Sequence, residues 1–171
     1  MSLRGLLLKG IGAIVVGAIG TLLFLHKDTS AHADILIDRP PSDVWKVVSN
    51  SAAYPDWNPF ITHVDGDFRV GDTIRIVLGV GPDSMVFKPI VLVVRPDQDL
   101  CWRGNVWIRG IFDGIHCIHL TAVSGRTRLE QTESFSGLLV GRLTKDVIEE
   151  TQRNFQAMNT AVKQRVETKM P

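Results

Sequence analysis

The chain has 171 residues, 44% of them hydrophobic, and a formal net charge of +1. That length suits one domain with a sizeable core plus a short appendage, and interspersed charge of both signs gives no footprint for a phosphate backbone, so nucleic acid is not an expected partner. The sequence has no Gly-rich phosphate loop, Cys-x-x-Cys pair, His-Glu-x-x-His or Gly-x-Ser-x-Gly elbow. This sets aside most metal- and cofactor-dependent chemistries; no metal and no cofactor is expected.

The first segment stands apart. After Arg4 and Lys9, the run Gly10 to Leu25 carries no charge. Counted back through Leu6-Leu7-Leu8, with Lys9 snorkelling, it approaches the roughly 20 apolar residues a bilayer span needs. Ala31-His32-Ala33 also fits a signal-peptidase pattern, but cutting there would sever the first strand. Residues 1–27 are therefore expected to be a single-pass anchor and residues 28–171 the folded domain. The two positive charges before the span place its N-terminus in the cytoplasm and the domain on the extracytoplasmic side.

From His32 onward the pattern is mostly strands, closed by one helix. His32–Ile37 reads as a strand. Pro40-Pro41 then sets up a short helix over Ser42–Ser49, with Asp43 in its first turn and Val44, Val47 and Val48 on one face. The stretch Ala52-Ala53-Tyr54-Pro55-Asp56-Trp57-Asn58-Pro59-Phe60 holds the only tyrosine of the chain and is too stiff and aromatic for a solvent loop. It either plugs the core or walls a cavity. Strands are expected at Ile61–Phe68, Asp72–Leu78, Met85–Val94, Asp99–Trp107, Phe112–Val123 and Arg126–Phe135, joined by Gly, Pro and Asp turns as an antiparallel meander. Pro89 marks an edge or a bulge. Thr144 to about Lys169 reads as a helix, with Ile148, Phe155, Met158, Val162 and Val166 forming its apolar stripe, and the dry face of the sheet must cover it.

Ser124-Gly125 fixes the register. With a two-residue turn there, residue numbers that face each other sum to 249. Leu120 then meets Leu129, Ile118 meets Gln131, and His116 meets Glu133. The apolar pairs mark the inner face, so His116 and Glu133 point inward side by side. With the shortest loop around Ile108-Arg109-Gly110, Trp102 lies opposite His116 and Cys101 opposite Cys117; whether the cysteines bond or merely pack stays open. A carboxylate beside an imidazole suggests acid/base chemistry, but a structural or ligand-orienting pair is the commoner use of buried polar groups. No Ser or Cys falls beside His116, so a nucleophilic triad is not supported.

Several stretches then carry a resemblance: Pro41-Ser42-Asp43-Val44-Trp45, Tyr54-Pro55-Asp56-Trp57-Asn58-Pro59-Phe60, Leu100-Cys101-Trp102-Arg103-Gly104, Gly114-Ile115-His116, Gln131-Thr132-Glu133-Ser134-Phe135-Ser136-Gly137-Leu138-Leu139 and Phe155-Gln156-Ala157-Met158-Asn159. Over about residues 30–168 the chain resembles the START-related helix-grip superfamily (SRPBCC), more narrowly its polyketide cyclase/dehydrase-like branch. The resemblance implies an α+β fold, a curved antiparallel sheet wrapped around a long C-terminal helix, with one or two short helices after the first strand and a cavity between sheet and helix. The function it implies is binding of a small hydrophobic or amphipathic molecule, lipids included, and the expected ligand-binding set is Trp57, Asn58, Phe60, Trp102, His116, Gln131, Glu133, Phe155 and Met158. Two alternatives stand beside it: a cyclase or dehydratase using His116 as base and Glu133 as its orienter, and an interaction domain whose cavity is filled by its own side chains. Fold alone does not choose among them.

Overall fold

The computed structural model describes residues 29–169 apart from Trp107 and Leu139. The expected anchor, residues 1–27, lies outside the described residues; among those described, no helix is long and apolar enough to cross a membrane. Strand β1 (Thr29–Ile37) leads through Pro40 into helix α1 (Pro41–Val48), whose buried face is Val44, Val47 and Val48. A 3₁₀ segment (Ser51–Asp56) follows, then β2 (Ile61–Asp65), β3 (Arg75–Leu78), β4 (Met85–Phe87), β5 (Ile90–Arg95), β6 (Asp99–Val106), β7 (Phe112–Val123), β8 (Arg126–Ser136) and the long helix α2 (Val140–Lys169).

Five strands form one antiparallel sheet in the order β1-β8-β7-β6-β5, and β2-β3-β4 form a second, smaller one. The turn at Ser124 (φ 50°) and Gly125 (φ 80°) has positive φ at both central residues, the two-residue geometry that suits the twist of a hairpin. The register follows from it: Leu120 faces Leu129, Ile118 faces Gln131 and His116 faces Glu133. On the other side of β7, Trp102 faces His116 and Cys101 faces Cys117, and the two cysteines are joined by a disulfide.

The run expected as one strand, Met85–Val94, is two. Pro89 lies at the break, because its ring nitrogen donates nothing to a ladder, and β4 pairs with β3 while β5 pairs with β6. The expected strand Ile61–Phe68 ends at Asp65, and Asp72–Leu78 starts only at Arg75. Helix α2 begins four residues before the expected Thr144. At the turn before it, Gly137 (φ 124°) lies so close to the Ile111 carbonyl that an added Cβ would come within 2.6 Å of that oxygen, so only glycine fits the approach.

The core is the expected one. Phe155, Met158, Val162 and Val166 of α2 are fully buried, and the last three pack with Ile37, Leu100, Ile118 and Leu129. Phe155 packs in a second cluster with Ala31, Ala33, Phe135 and Val140, against which Ile148 of the expected stripe is only partly buried. The aromatic loop does both things asked of it. Tyr54 is fully buried and its hydroxyl donates to the Val48 carbonyl at 2.8 Å, plugging the core beneath α1 with its ring tilted against those of Trp57 and Phe68. Phe60, a few residues on, walls a cavity.

Candidate ligand-binding cavity

A cavity of about 340 Å³ opens between the large sheet, the small sheet and the first half of α2. Its floor is the inner face of β6, β7 and β8, where Trp102, Val106, Phe112, His116, Glu133 and Phe135 alternate with outward residues. The small sheet covers it with Ile61, Ile76, Leu78, Met85 and Phe87, and α2 closes one side with Val147, Glu150, Thr151 and Asn154. The size and the mostly apolar lining match what a small-molecule site needs.

Space for the cavity comes from two missing side chains. Gly104 and Gly114 are cross-strand partners on the inner face of β6 and β7, and both line the cavity. At Gly104 an added Cβ would make only ordinary contact, 3.7 Å from the Pro89 Cβ. At Gly114 it would fall 2.6 Å from Glu133 Oε1. The carboxyl of Glu133 therefore lies in the notch that Gly114 leaves. No hydrogen bond to that carboxyl occurs among the described residues, and burial pushes it up from 4.5 to about 7.

His116 is held differently from the expectation. Its register partner is Glu133, but its Nε2 lies 3.0 Å from Gln131 Oε1. The direction of this bond is set from the far end of a chain of three. The Ala33 carbonyl can only accept, so Asn159 offers it Nδ2 at 3.2 Å; Asn159 Oδ1 then accepts from Gln131 Nε2 at 2.7 Å, which turns Gln131 Oε1 toward the imidazole. His116 accordingly carries its proton on Nε2 and keeps a lone pair on Nδ1. Its ring lies between Trp102 and Phe155, with centroids 4.5 Å and 4.6 Å away. Burial among these rings lowers its pKa from 6.5 to about 4, with nearby His119 adding to the effect and the Gln131 bond opposing it. The imidazole is neutral at pH 7 and a weak base.

Of the expected ligand-binding set, Phe60, Trp102, His116 and Glu133 lie on the cavity wall. Trp57, Asn58, Gln131, Phe155 and Met158 stand behind it. Asn58 folds its own loop, its Oδ1 accepting from the backbone N–H groups of Phe60 and Ile61 at 2.9 Å each. Gln131 and Phe155 position His116, and Met158 is core. Sequence reasoning missed the glycine pair and the polar edge of α2 at Glu150, Thr151 and Asn154, whose spacing puts them on one helical face beside the apolar stripe. Among the described residues no group of three or more His, Cys, Asp or Glu is arranged to hold a metal ion.

A bent antiparallel sheet grips the long helix, with the cavity between them. The sequence matches the family described as polyketide cyclase / dehydrase and lipid transport over residues 28–167. The chain belongs to that family. No curated protein matches the sequence. Among solved structures, protein MLL2253 of Mesorhizobium loti is similar at a TM-score of 0.67 with 16% identity, covering 84% of this chain and 100% of that one. A START superfamily protein of Mycobacterium smegmatis has a TM-score of 0.66 and 16% identity over 85% and 99% of the two chains. The Zhui aromatase/cyclase of Streptomyces sp. R1128 has a TM-score of 0.63 and 20% identity over 82% and 94%. At such identities these likenesses show the helix-grip fold and not an activity.

Proposed function

We propose that this domain takes up a small hydrophobic or amphipathic molecule in the cavity between its sheets and α2, and that residues 1–27 tether it to a membrane. The observation that carries the reading is the cavity itself: a wall of Phe60, Phe87, Trp102, Phe112 and Phe135 with few polar groups converging on it. Lipids fall within this ligand class, and the family description, which includes lipid transport, supports the reading. The tether rests on the uncharged run Gly10 to Leu25 after Arg4 and Lys9.

Native mass spectrometry of the protein purified from a membrane-containing extract tests the uptake. A bound mass of a few hundred daltons is expected. An empty protein that ignores added lipids and polyphenols would contradict it and favour an interaction domain. For the tether, the full chain should stay with membranes through alkaline carbonate extraction; a mature N-terminus at Asp34 would contradict it.

One observation favours a second reading, an enzyme of the cyclase or dehydratase kind. The Glu133 carboxyl faces the cavity with a pKa of about 7, the range in which a general acid or base works best. In that reading the proton moves through Glu133, since His116 at about 4 is too weak a base and is oriented by Gln131. Turnover of a bound polyketide-like substrate that Glu133→Gln abolishes without loss of binding would establish it.

A further inference from the structure

Among the described lining residues the ionisable groups are two carboxyls and an imidazole, and the amides of Asn105 and Asn154 beside them can donate or accept. Glu133 sits in the Gly114 notch with no hydrogen-bond donor to it among the described residues. His116, with Nε2–H committed to Gln131, has only the lone pair of Nδ1 left to offer. Thr151 spends its hydroxyl proton on the Val147 carbonyl at 2.7 Å. Glu150, exposed on α2, adds a second carboxylate at the edge. No lysine or arginine lies among the described lining residues, and the strands β2, β3 and β4 present only apolar side chains there.

Two carboxylates, an imidazole lone pair and several aromatic faces all attract positive charge and N–H donors. A carboxylate ligand would meet Glu133 and Glu150 with no cation among the described lining residues to neutralise it. We propose that the guest of this cavity carries a basic nitrogen on an apolar body, and that Glu133 is the residue that recognises its ammonium. This rests on the binding reading above and narrows it to cationic amphiphiles. A buried ion pair forms when the ammonium enters, its N–H groups donating to the carboxylate in the Gly114 notch, with the rings of Trp102, Phe112 and Phe135 around it. Charge-assisted bonds in a water-poor site are strong enough for one such pair to set the selectivity. Glu150, nearer solvent, contributes a weaker and salt-screened attraction.

Entry of an ammonium also moves a proton. In the empty cavity burial holds Glu133 partly protonated near neutrality, and pairing with a cation favours the carboxylate. Below pH 7 amine binding should therefore release protons to the buffer. Among the described residues, the other titratable groups facing the cavity are His116 on β7, neutral at that pH, and Glu150 on α2.

Three matched probes test the proposal on the full chain: 2-(2-naphthyl)ethylamine, 2-(2-naphthyl)ethanol and 2-naphthylacetate, titrated calorimetrically at pH 6.5 in two buffers of different ionisation enthalpy. The amine should bind about tenfold or more tighter than the alcohol, the acetate weakest, with a substantial fraction of a proton released only for the amine. Glu133→Gln should bring the amine down to the alcohol's affinity and remove the proton release, while Glu133→Asp should keep part of the preference. Amine and alcohol binding alike, or an amine preference that survives Glu133→Gln in a protein of unchanged melting temperature, would overturn the proposal and leave uptake of apolar molecules standing. Failure of all three probes to bind would overturn uptake and proposal together.

Discussion

His116 donates its Nε2–H to Gln131 Oε1 at 3.0 Å, although Glu133 is the residue directly across the ladder from it. Both long side chains of β8 lean to the same diagonal. Gln131, whose register partner is Ile118, reaches His116, and Glu133, whose partner is His116, reaches Gly114. Diagonal neighbours in an antiparallel pair lie within reach of long side chains, and the notch at Gly114 gives the carboxyl room to lean.

Stability should separate the two residues. Gln131→Leu leaves the His116 N–H and Asn159 Oδ1 both buried and unpaired, at about 1–3 kcal/mol for each orphaned group. Glu133→Gln removes a carboxylate with no partner and should cost nothing or stabilise at pH 8. Urea denaturation of the two variants checks this; a larger loss from Glu133→Gln than from Gln131→Leu would mean that the diagonal pairing is wrong.

The same arrangement gives opposing pH effects. Glu133 has a folded-state pKa raised from 4.5 to about 7, so its contribution is complete below 4.5 and is lost as pH rises through 7. His116 is lowered from 6.5 to about 4, so its contribution is complete above 6.5 and is lost as pH falls through 4. Between about 4.5 and 6.5 the two slopes nearly cancel. The unliganded protein should show little pH dependence from this pair there, while Glu133→Gln should uncover stability rising with pH and His116→Gln stability falling with pH. Thermal melts at half-unit pH steps read this directly, and parallel profiles for the two variants would refute the assignment.

Much of this was legible beforehand. The two-residue turn at Ser124-Gly125, combined with period-two apolar residues on both flanks, dictates the register of β7 and β8, and the stripe from Phe155 to Val166 dictates which face of α2 the sheet covers. The partner of His116 was not legible, because register specifies which residues are opposite and not which way a side chain leans. Nor was the cavity. It exists because Gly104 and Gly114 fall opposite each other, and an absent side chain leaves no mark in a hydrophobic pattern. Glu150, Thr151 and Asn154 lie outside the apolar stripe, which marks a helix's buried face only where the partner surface is filled, so the stripe gives no sign that they line the cavity.

The disulfide should matter for stability and not for the cavity. Cys101 and Cys117 alternate with the inward-facing Trp102 and His116, which places the bond on the other face of the sheet, and they are 16 residues apart in sequence. A closed loop of that length is worth about 3 kcal/mol in the chain-entropy account. The double variant Cys101→Ala, Cys117→Ala should lose about that much in urea melts while binding apolar probes as before. Alkylation under non-reducing conditions that labels two thiols in the native protein would show that the bond is absent.

The central claim, that the space above Gly104 and Gly114 receives a guest, is tested most directly by filling it. A Cβ at Gly104 has room beside Pro89, so Gly104→Leu should fold and direct its side chain into the cavity. Titration with the neutral fluorescent probe N-phenyl-1-naphthylamine, read by energy transfer from tryptophan, should show saturable one-site binding to the unsubstituted protein and its loss in Gly104→Leu at unchanged or higher melting temperature. Equal binding by both proteins, or by neither, would contradict the account.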